Sequence, residues 1–151
     1  MYYDPAELSL FIPIIISTLF GSLIGVEREM RHKPAGIGTN ILICAGACIF
    51  ALISARVDPG SPSRIASNIL TGVGFIGAGL ILKDSDGSIR GLTTAAGIWM
   101  AAAIGLAIGY NYYLVAGLGT LIAVFSPRFK GWMHHNTDNN PAAQQLSQPP
   151  R

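Results

Sequence analysis

The chain has little charge for its length. Only 12% of its 151 residues are Asp, Glu, Lys or Arg, whereas half are hydrophobic. An ordinary soluble domain carries about 25% charged residues. The few charged residues stand mostly in short polar segments, which separate long uncharged stretches. This composition excludes an ordinary water-soluble domain and predicts a protein whose main solvent is lipid.

Basic residues are absent from the start of the chain. No Lys or Arg precedes Arg28, and Asp4 and Glu7 stand before the first apolar stretch. A secretory signal peptide begins with positive charge. The first apolar stretch is therefore expected to be retained as a membrane anchor.

Cysteine is scarce as well. Cys44 and Cys48 are the only two, and they stand four residues apart on one side of a predicted helix. Two such thiols form no disulfide framework, and two ligands alone make a poor site for a soft metal. We expect them to act as small packing residues.

A glycine motif in the middle of the chain lacks the context of a nucleotide-binding loop. Gly72, Gly74 and Gly77 match the pattern G-x-G-x-x-G. Dinucleotide binding requires a strand before this pattern, a helix after it and an acidic residue about 20 positions further on. Here the motif lies inside an apolar run over 65–82, and the next acid, Asp84, follows too soon. We therefore interpret the motif as part of a membrane helix.

Five apolar stretches follow one another along the chain. A helix that crosses a bilayer needs roughly 20 apolar residues, with about 17 to 25 as the usual range. The fifth stretch is borderline, so four spans and one interfacial helix is the alternative to five. The predicted fold is an all-α, polytopic membrane helix bundle with spans at about 8–26, 37–55, 65–82, 91–109 and 110–126.

The distribution of Lys and Arg predicts the orientation, because short cytoplasmic loops collect these residues. With five spans and the N-terminus outside, eight of the ten lie on the cytoplasmic side. This bias explains the slightly basic balance without a nucleic-acid partner. We expect a short periplasmic N-terminus over 1–7, a membrane domain over 8–126 and a largely disordered cytoplasmic tail over 127–151.

Small residues recur at helical spacing in three of the predicted spans. Such residues let membrane helices approach closely, which is the usual basis of their association. The ladders exceed what one five-helix bundle needs, so they also predict association with a second copy or with another membrane protein. The candidate packing residues are Gly21, Gly25, Gly72, Gly74, Gly77, Gly79, Gly97, Ala101, Gly105 and Gly109.

Polar residues gather near the ends of the spans. Glu27 with Arg31, and Glu29 with Lys33, stand four positions apart in the favoured order, which predicts that the first helix continues past the membrane surface. The cluster is either a solvated helix end or an ion or partner site. The candidate functional residues are Glu27, Arg28, Glu29, Asn40, Arg64, Thr93 and Thr94.

No metal, cofactor or catalytic site is predicted. The order of Asp84, Asp86 and Gly87 is that of the start of a calcium loop, but the remaining ligands are missing, so a tight turn is the better interpretation. All three His lie outside the predicted spans, so no nucleophile and base can be placed together. We therefore do not expect an enzyme.

Four blocks of this sequence resemble the MgtC/SapB family of membrane proteins, and the resemblance covers about residues 8–126. The blocks are GSLIGVERE at 21–29, KPAG at 33–36, RIASNILTGVGFIGAGLIL at 64–82 and GLTTAAGIW at 91–99. Many members have an Arg and a His just after KPAG, where this chain has Gly38 and Asn40. The resemblance implies a short form without the soluble C-terminal domain of the larger members.

The resemblance also implies a multi-pass protein of the bacterial inner membrane, associated with growth in low magnesium, virulence inside host cells or acid stress. We therefore expect a non-enzymatic membrane protein that acts through helix association with itself, a dimer first, or with another membrane complex. A small ion or solute transporter or channel is the alternative. The residues that the family pattern matches are Glu27, Arg28, Glu29, Arg64, the glycines at 72, 74, 77 and 79, Thr93 and Thr94.

Overall fold

The computed structural model describes residues 5–138 except residues 58, 62 and 86, and within that range it describes the side chains of residues 8–126. Most of the predicted periplasmic segment and the end of the predicted tail lie outside the described residues. The all-α class is confirmed. In order, the elements are α1 Pro5–Met30, α2 Ile37–Val57, α3 Ser63–Gly79, β1 Leu82–Lys83, β2 Ile89–Arg90, α4 Leu92–Gly109 and α5 Tyr113–Asp138.

Three of these helices are long and apolar enough to cross a membrane. They are α1 over Leu8–Met30, α2 and α4. The 17 residues of α3 extend about 26 Å, and the apolar part of α5, Tyr113–Ser126, is shorter still. The structure therefore supports a helical membrane protein, while the count of five spans stays a prediction.

The third helix ends three residues before its predicted end. Leu82 pairs with Arg90 and Lys83 with Ile89 in an antiparallel hairpin. Gly91 follows with a φ of 88°, and a Cβ at this position would meet the carbonyl oxygen of Leu80. Glycine tolerates both constraints because it has no side chain. The tight turn predicted after residue 83 is thus the tip of a hairpin that leads into α4.

The fifth helix extends beyond its predicted span. Its backbone is helical to Asp138, through the first twelve residues of the segment that the sequence assigns to a disordered tail. Its apolar part still ends at Ser126. The end of the apolar run therefore does not mark where the helix stops.

The fourth helix is the centre of the bundle and contacts each of the other four. A Cβ at Gly105 would meet the carbonyl oxygen of Cys44, and one at Gly109 would lie 2.8 Å from that of Cys48. Ala101, one turn earlier, is fully buried. Because these positions carry little or no side chain, the backbones of α2 and α4 approach closely.

The first helix packs on α2 by the same means. A Cβ at Gly21 would lie 2.7 Å from the carbonyl oxygen of Asn40, and one at Gly25 would meet the Cα of Ile37. Large aliphatic side chains such as Leu19, Leu42 and Leu118 are instead more than half exposed on the outside of the bundle. Small residues inside and large apolar residues outside are the arrangement that a lipid solvent favours.

Candidate functional site

Most of the candidate polar residues meet where α1 ends and where α2 and α4 begin. We call this region the inner end, since the charge bias predicts that it faces the cytoplasm. Arg28 is only 4% exposed. Its Nη2 donates to Thr94 Oγ1 at 2.5 Å and to the Pro34 carbonyl oxygen at 3.3 Å. One buried guanidinium thus joins α1, the turn after it and the first turn of α4.

The turn between α1 and α2 is held by two further side chains. Glu29 Oε2 accepts a hydrogen bond from the Ile37 backbone N–H at 3.1 Å, which satisfies one of the free donors at the start of α2. Asn40 Nδ2 donates to the carbonyl oxygens of Ala35 and Gly36 at 2.7 and 2.9 Å. Ala35 has a φ of 61°, so these bonds hold a backbone conformation that alanine seldom adopts.

The first helix continues four residues past its predicted span, to Met30, and ends before Lys33. Of the two predicted ion pairs, Glu27 with Arg31 is confirmed, at 2.5 Å between Glu27 Oε1 and Arg31 Nε. The prediction for Glu29 is wrong, because its carboxylate caps α2 instead. Lys33 lies beyond the end of α1, so the helical spacing that favours such a pair is lost.

Glu27 is the buried side chain at the inner end that receives no hydrogen bond from the described residues. It is 7% exposed, and neither of its carboxylate oxygens receives a hydrogen bond from any residue that the structure describes. The contact with Arg31 is an ion pair without hydrogen-bond alignment. Oε2 is therefore a buried acceptor that has no donor in the described part of the chain.

The two remaining candidate residues lie apart from this junction. The side chain of Thr93 is exposed although Thr94 beside it is buried. Arg64 is exposed near the start of α3, at the opposite end of the bundle. The sequence did not lead us to predict the carbonyl oxygens of Pro34 and Ala35 as hydrogen-bond acceptors. The helix-breaking segment Pro34-Ala35-Gly36 was the feature that could have indicated them.

The candidate packing residues fall into two groups. Six of them face another helix or the core: Gly21, Gly25, Gly77, Ala101, Gly105 and Gly109. A Cβ at any of the other four would meet no atom within 4 Å of the rest of the bundle: Gly72, Gly74, Gly79 and Gly97. Three of these four lie on α3, so most of the glycines of the motif are not needed for packing within one chain.

The outward face of α3 is small and polar except for two large exposed side chains, Phe75 and Ile76. Only Val73 and Gly77 of this helix are buried. Ser67 and Thr71 bond the backbone carbonyls of Arg64 and Ser67, while the Asn68 side chain has no hydrogen bond within the described residues. We define this outward face by its exposed members: Ser67, Asn68, Thr71, Gly72, Gly74, Phe75, Ile76, Ala78 and Gly79.

The described residues offer few ligands for a metal ion. They contain no group of three or more His, Cys, Asp or Glu side chains that could hold one. An open groove of about 490 Å³ on α5 is apolar and is lined by Leu121, Ile122, Phe125 and Ser126. None of these residues is among the candidate functional residues at the inner end.

The fold and the buried junction define a helical membrane protein with charged groups fixed at one end of its bundle. Residues 14–136 match the model of the MgtC family. The chain therefore belongs to the MgtC family, and the resemblance of its four sequence blocks is confirmed.

Several curated relatives are similar over most of this chain. The protein SapB of Bacillus subtilis is 38% identical over 141 residues, which are 87% of this chain and 60% of SapB. The protein MgtC of Salmonella typhimurium is 42% identical over 109 residues, 72% of this chain and 47% of MgtC. An uncharacterized protein of Haemophilus influenzae is 34% identical, over 89% of this chain and 63% of its own length. The chain thus spans about half to two thirds of these relatives. No solved structure matches it.

Proposed function

We propose that this protein is a non-enzymatic, five-span protein of the bacterial inner membrane that acts by helix association. Its partner is a second copy of the chain, or else another membrane protein. Family membership and three long apolar helices support the membrane location. Its place in adaptation to magnesium limitation, virulence or acid stress is part of the same proposal and rests on the resemblance to MgtC and SapB.

The outward face of α3 is the observation that carries this proposal. The outer sides of α1, α2 and α5 present large aliphatic residues that lipid chains solvate well. The outward face of α3 presents three glycines and the amide of Asn68 beside only two large side chains, Phe75 and Ile76. Lipid chains make few contacts with glycine, which has no side chain, and they offer no hydrogen-bond partner to an amide. A protein surface that packs on the glycines and bonds the amide fits this face better.

The same face is suited to a second copy of itself. Phe75 is 76% exposed and lies one turn from Gly72 and one turn from Gly79. Its ring can therefore lie over the glycines of a facing α3 when two copies cross. An amide both donates and accepts hydrogen bonds, so two copies of Asn68 can pair with each other.

Replacement of Gly72 or Gly79 by Leu tests the proposal. We expect the wild type to be larger than one copy in mild detergent, and Gly72→Leu and Gly79→Leu to shift the particle to a monomer without unfolding it. The reason is that Leu fills the space that the partner needs, while its Cβ meets no atom within 4 Å of the rest of the bundle. Light scattering after gel filtration, together with cross-linking in membranes, measures the change.

Gly117→Leu on α5 is the matched control, because a Cβ there also meets no neighbouring atom and the position is not on α3. This variant is expected to keep the size of the wild type. A wild type that is monomeric in both measurements, with no co-purifying partner, would contradict the proposal.

A small ion or solute transporter is the second proposal, and measurements of flux into proteoliposomes distinguish it from the first.

A further inference from the structure

The buried carboxylate of Glu27 lacks a ligand. Its residue is 93% removed from the surface, and both oxygens are enclosed without a hydrogen bond from the described residues. An ionised carboxylate has about four lone-pair sites. A buried acceptor without a donor destabilises the fold by about 1 to 3 kcal/mol, and more when it is charged. We therefore expect a further group to bind at Oε2.

The neighbouring charges limit what this group can be. The Arg28 guanidinium is directed to Thr94 and Pro34, and the Glu29 carboxylate is directed to the start of α2. Arg31 is the only cation among the described residues that forms an ion pair with the Glu27 carboxylate, although the Arg28 charge also interacts with it at longer range. The Arg31 side chain is 34% exposed, so its guanidinium has a path into water.

We propose that Glu27 binds a small monovalent inorganic cation that exchanges with Arg31. A carboxylate is a hard ligand and prefers hard cations. A singly charged ion replaces the charge of Arg31 and leaves the net charge at the inner end unchanged, whereas a divalent ion adds one positive charge beside Arg28. Because the described residues contain no group of three or more His, Cys, Asp or Glu side chains that could hold a metal ion, the ion keeps part of its hydration shell.

Thermal unfolding of the detergent-purified protein tests this site. The probes are NaCl, KCl and MgCl₂, each compared with N-methylglucamine chloride at the same ionic strength. We expect Na⁺ or K⁺ to raise the Tm of the wild type above its value in N-methylglucamine. Glu27→Gln is expected to lose this rise, because a neutral amide does not bind the cation.

Two further variants separate the site from general charge effects. Glu29→Gln removes a carboxylate two residues away but keeps an acceptor for the Ile37 N–H, so it is expected to keep the rise. Arg31→Gln removes the competing cation. It is expected to lower the concentration of Na⁺ or K⁺ that gives half of the rise by about fivefold, which corresponds to the loss of an ion pair of about 1 kcal/mol.

Several outcomes would overturn the proposal. A Tm that does not depend on the cation would show that no cation binds at Oε2. A rise with Mg²⁺ only would exclude a monovalent site. If Glu27→Gln does not fold, Arg31→Gln decides by itself, because an unchanged half-effect concentration means that no exchange takes place.

Discussion

Single side chains at the inner end join helices that are distant in the sequence. The bond from Arg28 to Thr94 spans 66 positions, and it lies where both residues are buried. Thr93 is next in the chain, but its side chain is exposed. Two adjacent threonines therefore have different roles, and the sequence alone does not distinguish them because both match the same family block.

Replacement of Thr94 by Val removes a hydrogen bond to a buried charge with little change of shape. We expect it to destabilise the protein by about 1 to 3 kcal/mol, since Arg28 keeps its charge and loses an acceptor. Thr93→Val is the matched control and is expected to stay within about 0.5 kcal/mol of the wild type. The midpoint of unfolding in mixed SDS micelles measures both. Equal midpoints for the two variants would show that the Arg28–Thr94 bond adds nothing.

At the scale of elements, the sequence predicts that glycines bring helices together but not which glycines do so. Residues four positions apart on a helix differ by about 40° in direction, so the ladder of α4 turns by about 120° between Gly97 and Gly109. Ala101, Gly105 and Gly109 face the core, and Gly97 has turned away from it. On α3, Gly72 and Gly74 differ by about 160° in direction, so they lie at opposite edges of its outward face, while Gly77 is buried. Only the arrangement of the neighbouring helices decides which glycines are covered.

The contact between α2 and α4 is expected to tolerate no added carbon atom at Gly105. A Cβ there would overlap the Cys44 carbonyl oxygen, which is backbone and cannot turn away. We expect Gly105→Ala to destabilise the protein by about 1 to 3 kcal/mol, as overpacking of a core does. Gly117→Ala is expected to be neutral or slightly stabilising, because Ala favours a helix more than Gly. Unfolding midpoints check both, and a Gly105→Ala variant as stable as Gly117→Ala would contradict the close packing.

For the whole molecule, the long apolar runs predict the class of fold because their length and lack of charge follow directly from the bilayer. They predict the number of crossings less well. α3 is 17 residues long and the apolar part of α5 shorter, so helix length leaves both near the limit for a span. The buried junction could be predicted only in part. Glu27 and Arg28 could be predicted because they are charged residues at the end of an apolar run. The exposed position of Arg64 could not, because it depends on how α3 is placed in the bundle.

The location of the C-terminal part of α5 distinguishes five spans from four. Five spans place the hairpin tip at Gly87 and the residues after Ser126 on the same side of the membrane, opposite to Gly60 in the loop between α2 and α3. If α5 lies in the interface instead, the residues after Ser126 share a side with Gly60. Single cysteines at 60, 87 and 128, in a chain whose Cys44 and Cys48 are replaced by Ala, can be labelled in intact cells with a reagent that does not cross the membrane.

We expect label at position 60 only, because the Lys and Arg residues of the other loops favour the cytoplasm. Label at both 60 and 128 would exclude the fifth span. It would also place Arg128 and Lys130 outside, where they would weaken the charge bias that orients the bundle. Since α1 and α5 are in contact, a fifth span along α1 would keep that contact inside the bilayer, which is why the five-span arrangement is the one we expect.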